Sequence, residues 1–171
     1  MFGGRKAEER RRDEIRLAQA ACDNALAALR ADNIAKARDE LAAAPRKIDF
    51  ADIGWKVELV AAMLDLAAGR RKPAITRLTI ICSRLDETDL SRDDKGYLRL
   101  FSLYRAIEAS KDGKAPQELR DLVDDFRFDH TLVSPELKSG FPLKKTEESV
   151  SAPPPMARPS SADAKDPFGD Q

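Results

Sequence analysis

The side chains best suited to acid–base chemistry are a single histidine and a few pairs of neighbouring carboxylates. His130 follows Asp129 in FRFDHTLVSPEL, without a second histidine for a metal site and without a serine or cysteine nucleophile in an oxyanion motif. Pairs such as Asp93-Asp94 are typical of solvated helix faces. Phosphate-binding glycine motifs and CxxC motifs are absent from the sequence. We therefore predict a protein that is not an enzyme and that uses no cofactor or metal.

Positive charge is concentrated in one stretch. Between residues 66 and 85 there are five basic residues and no acid, whereas 86–94 holds five acids and one base. Such a patch can meet an acidic protein segment, a nucleic-acid backbone or anionic lipid. It can equally pair internally with the acidic loop that follows. The candidate partner-binding residues in this stretch are Arg70, Arg71, Lys72, Arg77 and Arg84.

A second set of candidates is aromatic. Aromatic side chains are enriched where proteins bind partners, but they are equally common in cores, and both interpretations stay open here. The charged beginning of the first helix is a further candidate contact, because its side chains are polar on all sides. The aromatic candidates for a partner-binding groove are Trp55, Tyr97, Phe101 and Tyr104.

Asp65 lies between Leu64 and Leu66 in the most apolar segment of the chain. A carboxylate buried there needs a partner, and Arg77 or Arg84 from the next helix are the candidates. We predict a structural ion pair, the alternative being exposure of Asp65 at the helix end.

Composition sets the broad class. A chain of 171 residues allows one domain, and 42% apolar with 35% charged residues suits exposed helices around a modest core. The 30 basic and 30 acidic side chains cancel, so no overall charge indicates nucleic acid or membrane. Cys22 and Cys82 make no disulfide framework and are expected to be buried. Without an export signal or an apolar stretch of spanning length, we expect a soluble, cytoplasmic protein.

The spacing of apolar residues predicts an all-α fold of about six helices, over 6–31, 34–44, 49–69, 73–85, 91–112 and 116–128. Whether the first two are one helix depends on Asp32-Asn33, whose turn chemistry favours a break. Short turns then make three antiparallel helical hairpins, as a repeat array or a small bundle. We expect a helical domain over 1–128, a transition segment over 129–138 and a disordered Pro/Ser-rich tail over 139–171. A single aromatic near the end of the tail, Phe168, is a candidate anchor, unless the tail only improves solubility.

Residues 18–85 resemble tetratricopeptide repeats. Ala25, Ala37, Leu41, Ala44 and Pro45 match that family's pattern of small residues, a large apolar residue and a closing proline. A second copy fits Ala62, Ala74 and Leu78, at an offset of 37 residues. The signature Trp and Tyr are absent from both copies, so the family's binding positions cannot be carried over. The resemblance implies a concave surface that binds a peptide or a partner protein.

The sequence as a whole favours a non-enzymatic protein–protein interaction module that acts as an adaptor, a scaffold subunit or a chaperone-like protein. The alternative is a nucleic-acid-associated regulator that uses the basic patch at residues 70–84. The sequence leaves open whether the apolar faces close on one another or on a second copy of the chain.

Overall fold

A computed structural model describes residues 3–110, 117, 121 and 128–143. Every regular element in these ranges is helical, which confirms the predicted all-α class. The α-helices are α1 (Gly3–Arg30), α2 (Ile34–Ala42), α3 (Trp55–Ala67), α4 (Arg71–Arg84), α5 (Arg92–Ala109) and α6 (Pro135–Gly140). Most of the helix predicted over 116–128, and the predicted tail from residue 144 onward, lie outside the described residues.

The turn between α1 and α2 forms at the predicted place. Asp32 has a φ of 56°, in the left-handed region that aspartate tolerates better than most residues. Asn33 then caps α2, because its side chain accepts a hydrogen bond from the backbone N–H of Lys36. The chain therefore reverses, and Ala28 packs with Ala37 between two antiparallel helices. The choice of two helices rather than one is confirmed.

Two later boundaries also follow their local chemistry. Gly69 has a φ of 75° just after α3, a backbone conformation that residues with a Cβ rarely adopt. Ser91 caps α5 by accepting a hydrogen bond from the backbone N–H of Asp94 at 3.1 Å.

Asp49 caps the segment before α3, as predicted, but the first turn there, Phe50–Gly54, is π-helical. A Cβ at Gly54 would lie 2.9 Å from the carbonyl oxygen of Asp49, so this wide turn needs glycine.

Helix α3 is the centre of the fold, as its apolar surface predicts, and it packs against α1, α2 and α4. α3 and α4 form an antiparallel hairpin, and α5 packs against α4. One main core joins these elements. Its most completely buried large side chains are Cys22, Leu59, Val60, Leu78, Ile81, Leu85, Leu98, Phe101 and Phe141.

Residues 128–143 form what we call the C-terminal strap, which includes α6. Phe141 is 1% exposed and packs edge-on against Phe101, with ring centroids 5.5 Å apart. The strap spans the predicted transition segment over 129–138 and the first residues of the predicted tail, so packed structure extends beyond residue 128. Apolar residues are no longer regularly spaced after Phe128. Because the strap buries only a few isolated side chains, its sequence has no periodic pattern from which to predict its packing.

Side chains at the start of α5 hold the strap through its backbone. Asp93 and Asp94 accept hydrogen bonds from the N–H groups of Asp129 and Ser134, each at 2.8 Å. The Tyr97 hydroxyl donates to the carbonyl oxygen of Phe141 at 2.6 Å and accepts from the N–H of Leu143. The strap is therefore fixed by polar contacts as well as by its buried apolar residues.

The beginning of α1 stands apart from the core. Residues 3–13 are all exposed, and the first buried residue of the helix is Ala18. Arg11 pairs with Asp52, its Nε lying 2.7 Å from a carboxylate oxygen, and this contact ties the exposed part to the turn before α3. Along the described stretches of the chain, no helix combines the length and the apolar character needed to cross a bilayer.

Candidate functional site

The outer face of the α3–α4 hairpin carries a groove of about 530 Å³, which we call the α4 groove. Helix α4 supplies most of its lining, α3 supplies one carboxylate, and the π-helical turn supplies an aromatic ring. The lining residues are Phe50, Glu58, Pro73, Thr76, Arg77, Ile80 and Arg84.

The α4 groove combines an apolar base with an exposed aliphatic side chain. Phe50 is 5% exposed and forms part of the base. Ile80 is 45% exposed, which makes it one of four large apolar residues left open to solvent in the described part of the chain. The small side chain of Thr76 stays against its own helix, since its hydroxyl donates to the carbonyl oxygen of Lys72 at 3.1 Å. An apolar group of a partner could therefore reach Ile80 without displacing a neighbouring side chain.

Arg77 is held in place by two carboxylates of α3. Its Nη1 donates to Glu58, and its Nε donates to Asp65 at 3.1 Å. Asp65 is buried, at 4% exposed, and also pairs with Nη2 of Arg70 at 2.6 Å. The predicted ion pair between Asp65 and Arg77 is confirmed. Arg84, the other candidate, does not take part, and Arg70 supplies the second cation instead.

Arg84 borders the opposite end of the α4 groove. It makes two hydrogen bonds to Glu87, at 3.0 and 2.8 Å, and its guanidinium carbon lies 4.2 Å from the centre of the Phe50 ring. A guanidinium above an aromatic face is attracted by the ring and is restrained in orientation. Glu87 of the acidic loop thus pairs with Arg84, which is the internal pairing that one interpretation of the basic patch predicts.

The electrostatics of the two arginines follow from these contacts. Burial lowers the pKa of Arg77, but the hydrogen bonds and charges of Glu58 and Asp65 outweigh it, and the pKa is raised overall. The hydrogen bond to Glu87 raises the pKa of Arg84, and the same contact lowers the pKa of Glu87. Both arginines therefore present fixed, permanently charged groups beside the groove.

The remaining basic candidates lie at the α3–α4 turn. Arg70 precedes α4, and Arg71 and Lys72 occupy its exposed first turn, which contains no acidic residue. No carboxylate within the described ranges pairs with Arg71 or Lys72. Positive charge at a helix N-terminus adds to that of the exposed N–H groups there. The structure thus places two of the five basic candidates, Arg77 and Arg84, in the α4 groove, and the other three at the turn before it. Arg70, Arg77 and Arg84 are in ion pairs.

The aromatic candidates are mostly core residues. Trp55, Tyr97 and Phe101 are 7%, 3% and 1% exposed, which favours the core interpretation of these three side chains. Their positions at helical spacing facing the centre explain the burial. Tyr104 is 48% exposed on α5, but it does not line the α4 groove.

A second concavity of about 670 Å³, the Trp55 cleft, lies between α1, the start of α3 and the C-terminal strap. Most of its charged lining residues make internal contacts, with Glu136 as the exception among the described residues. Lys56 pairs with Asp23 at 2.9 Å, and Arg30 donates to the carbonyl oxygen of Ser139 at 2.8 Å. These contacts fasten the strap and α3 to α1. None of the four exposed large apolar residues of the described chain lines this cleft, which makes it a weaker candidate for binding than the α4 groove, where Ile80 is exposed.

The single histidine lies on the surface, and both cysteines are buried. His130 is exposed, with its ring 4.4 Å from that of Phe128. Burial raises the pKa of both Cys22 and Cys82 to about 11. Within residues 3–110 and 128–143, together with 117 and 121, no group of three His, Cys, Asp or Glu residues could hold a metal ion.

Sequence reasoning identified the arginines of the α4 groove but missed Phe50, Glu58 and Ile80. Phe50 follows the capping residue Asp49, and its position depends on a π-helical turn that apolar spacing does not reveal. Ile80 comes directly before Ile81, and of these two only Ile81 is buried. The sequence does not show which of two neighbouring isoleucines faces solvent. Comparison of the chain with protein-family models, with curated proteins and with solved structures finds no match.

Proposed function

We propose that this chain is a non-enzymatic protein-interaction module that binds a protein or peptide partner in the α4 groove. The observation that supports the proposal is the exposed Ile80 beside a buried aromatic base and between two fixed arginines. Interfaces combine apolar anchors with arginine in this way, and a few such residues carry most of the binding free energy.

The ion pairs favour binding because they reduce its entropic cost. A free arginine must lose side-chain freedom when a partner engages it. Arg77 is already held by Glu58 and Asp65, and Arg84 by Glu87 and the Phe50 ring. Their remaining N–H groups can donate to a carboxylate or to a backbone carbonyl of a partner.

The tetratricopeptide resemblance remains part of this proposal. The antiparallel α1–α2 and α3–α4 hairpins are compatible with it, as they are with many helical folds. An adaptor, a scaffold subunit or a chaperone-like protein would each use a surface of this kind. A cytoplasmic location is likewise a proposal, which the predominance of charged, exposed helices supports.

The alternative function, binding of nucleic acid, depends on the basic patch. It has some support from Arg71 and Lys72, which stand exposed at the start of α4. The pairing of Arg70, Arg77 and Arg84 with carboxylates reduces the charge available to phosphates. The base of the groove is aliphatic except for Phe50, whose face is already covered by Arg84. A protein partner therefore fits this surface better.

The test is affinity capture from native lysate with matched variants of the full chain. Ile80→Ser removes the exposed apolar group of the α4 groove. Leu132→Ser is the control, because Leu132 is 66% exposed on the C-terminal strap and does not line the groove. Each capture is made at two salt concentrations, with and without nuclease.

A stoichiometric protein partner that Ile80→Ser weakens by about tenfold, as expected for an interface anchor worth over 1 kcal/mol, supports the proposal. Leu132→Ser should leave that partner bound. Recovery of nucleic acid that is lost in high salt, and on neutralising Arg71 and Lys72, would replace the proposal with the alternative. Equal capture by both serine variants would exclude the α4 groove as the binding site.

A further inference from the structure

We infer that the α4 groove also binds a segment of this same chain, the acidic stretch 163–170 around Phe168. The inference rests on the proposed function only in that it uses the same groove. It assigns a partner of defined chemistry: a short acidic segment with one aromatic anchor, supplied in cis. An external partner would then have to displace it.

Charge complementarity supports this assignment. The stretch 163–170 reads DAKDPFGD, with three aspartates and one lysine. The two arginines that line the groove, Arg77 and Arg84, are paired with carboxylates. Arg71 and Lys72 directly precede the lining residue Pro73 and have no carboxylate partner among the described residues, so positive charge remains at this end of the groove. Opposite net charges on a segment and its binding surface favour their encounter and select against basic segments.

The apolar contents also match. Phe168 is the one large apolar side chain of the stretch, and Ile80 is the one large apolar side chain that the α4 groove leaves exposed. Burying an aromatic ring against an aliphatic side chain removes apolar surface of both groups from water, which favours the contact. The flanking aspartates would then lie near arginines whose free N–H groups can donate to them.

Chain length permits the contact. The described part of the chain ends at Leu143, and Phe168 follows 25 residues later. A chain of that length can span about 80 Å, several times the radius of gyration of about 14 Å for a domain of this size. Attachment of this kind raises the effective concentration to about the millimolar range, so even a weak site is substantially occupied.

The test places a spin label beside Phe168 in the full-length chain. Gln171→Cys introduces a thiol for a nitroxide, while Cys22 and Cys82 are buried and stay mostly neutral at pH 7, with pKa values of about 11. The readout is loss of methyl NMR signal at Ile80. The control reporter is Leu132, which is more exposed and lies only eleven residues before Leu143, close to where the segment leaves the domain.

Docking predicts loss of the Ile80 methyl signal while the Leu132 signal persists. Phe168→Ala should restore the Ile80 signal, and Arg71→Gln with Lys72→Gln should restore part of it without breaking an ion pair. Loss at both reporters alike, or at neither, overturns the inference. So does loss that occurs only between labelled and unlabelled copies, because it assigns the segment to a second chain.

The two proposals fail separately. If Ile80→Ser abolishes partner capture but the spin label leaves Ile80 unaffected, the groove binds an external partner and not segment 163–170. If the label reports docking but no partner depends on Ile80, the groove serves the chain's own segment and the proposed function is wrong. When both hold, Phe168→Ala should strengthen partner capture, because the competing segment is removed.

Discussion

Asp65 shows how one buried carboxylate organises the α3–α4 hairpin. It lies in an apolar helix at 4% exposed, and two arginines from the returning chain reach it. A buried charge without partners is strongly unfavourable, which is why the sequence alone predicted the ion pair. The sequence could not reveal that Arg70 and Arg77 share the carboxylate, since this depends on where the turn at Gly69 places them.

Sharing makes the stability effects of the two arginines non-additive. Arg70→Gln or Arg77→Gln alone leaves Asp65 with one cation, and each should lower the free energy of unfolding by about 1 kcal/mol. The double substitution leaves the carboxylate unpaired and should cost about 3 kcal/mol, more than the two losses together. Urea denaturation measures all three. Simple additivity would show that each arginine acts independently of the other.

Gly96 is required by a close approach rather than by backbone conformation. A Cβ at this position on α5 would lie 2.8 Å from the Cβ of Phe128, an atom too close to the backbone to move aside easily. Gly96→Ala should therefore displace Phe128 and lower stability by about 1–3 kcal/mol. Gly140→Ala is the matched control, because its nearest neighbour, a methyl of Leu26, is at 3.8 Å. Thermal melting should separate the two variants, and equal melting temperatures would contradict the steric argument.

At the scale of elements, the sequence predicted helices best where capping residues and apolar spacing agree. Asp32-Asn33, Gly69 and Ser91 each end or begin a helix where expected, because their preferences are local. The π-helical turn at Phe50–Gly54 and the C-terminal strap were not predictable in this way. Both depend on contacts between residues distant in sequence, such as that of Phe141 with Phe101.

The hydroxyl of Tyr97 connects α5 to the strap at two backbone groups. Tyr97→Phe keeps the buried ring but leaves the carbonyl of Phe141 and the N–H of Leu143 without this partner. We expect a loss of about 1–2 kcal/mol and faster amide hydrogen exchange at Leu143. Tyr104→Phe is the control, since Tyr104 is 48% exposed and its loss of a hydroxyl should be nearly neutral. Unchanged exchange at Leu143 in Tyr97→Phe would count against the polar contacts that hold the strap.

The contact between Arg11 and Asp52 should depend on pH in a defined direction. Hydrogen bonds from Arg11 lower the pKa of Asp52 in the folded protein, against a smaller opposing effect of burial. Because the folded pKa is below the unfolded one, the stabilisation is complete above the ordinary value near 3.8 and is lost as pH falls through the lowered pKa. Carbon NMR titration of the Asp52 carboxyl should show this lowered value. In Arg11→Gln it should return toward 3.8, and an unchanged titration would exclude Arg11 as the cause.

At the scale of the whole molecule, the strap makes the core continuous from α1 to residue 141. Phe141→Ala should therefore lower global stability by about 3–5 kcal/mol, as for other buried phenylalanines. Pro142→Ala, at an exposed neighbouring position, should change it little. Urea unfolding followed by the fluorescence of Trp55 and by circular dichroism gives the test. If the strap were an appendage, Phe141→Ala would leave both transitions unchanged.

Several charged side chains of the described residues hold elements of the fold together. The acids at the start of α5 hold the strap, and the carboxylates of α3 and of the loop after α4 hold the arginines of the α4 groove. What remains for recognition is the unpaired charge of Arg71 and Lys72 at the start of α4 and the exposed side chain of Ile80 farther along the same helix.

The exposed beginning of α1 has a consequence for proteolysis. Residues 3–13 contain five basic side chains in a helix that the core does not support, and a protease can cut only where the helix frays. Fraying that proceeds from Gly3 toward the core is opposed at Arg11 by its ion pair with Asp52, a contact to a different part of the fold. Trypsin should then trim this end in order, after Arg5, Lys6 and Arg10, and slow down at the tether. The ion pair between Arg11 and Asp52 thus sets how far trypsin trims this end of the helix.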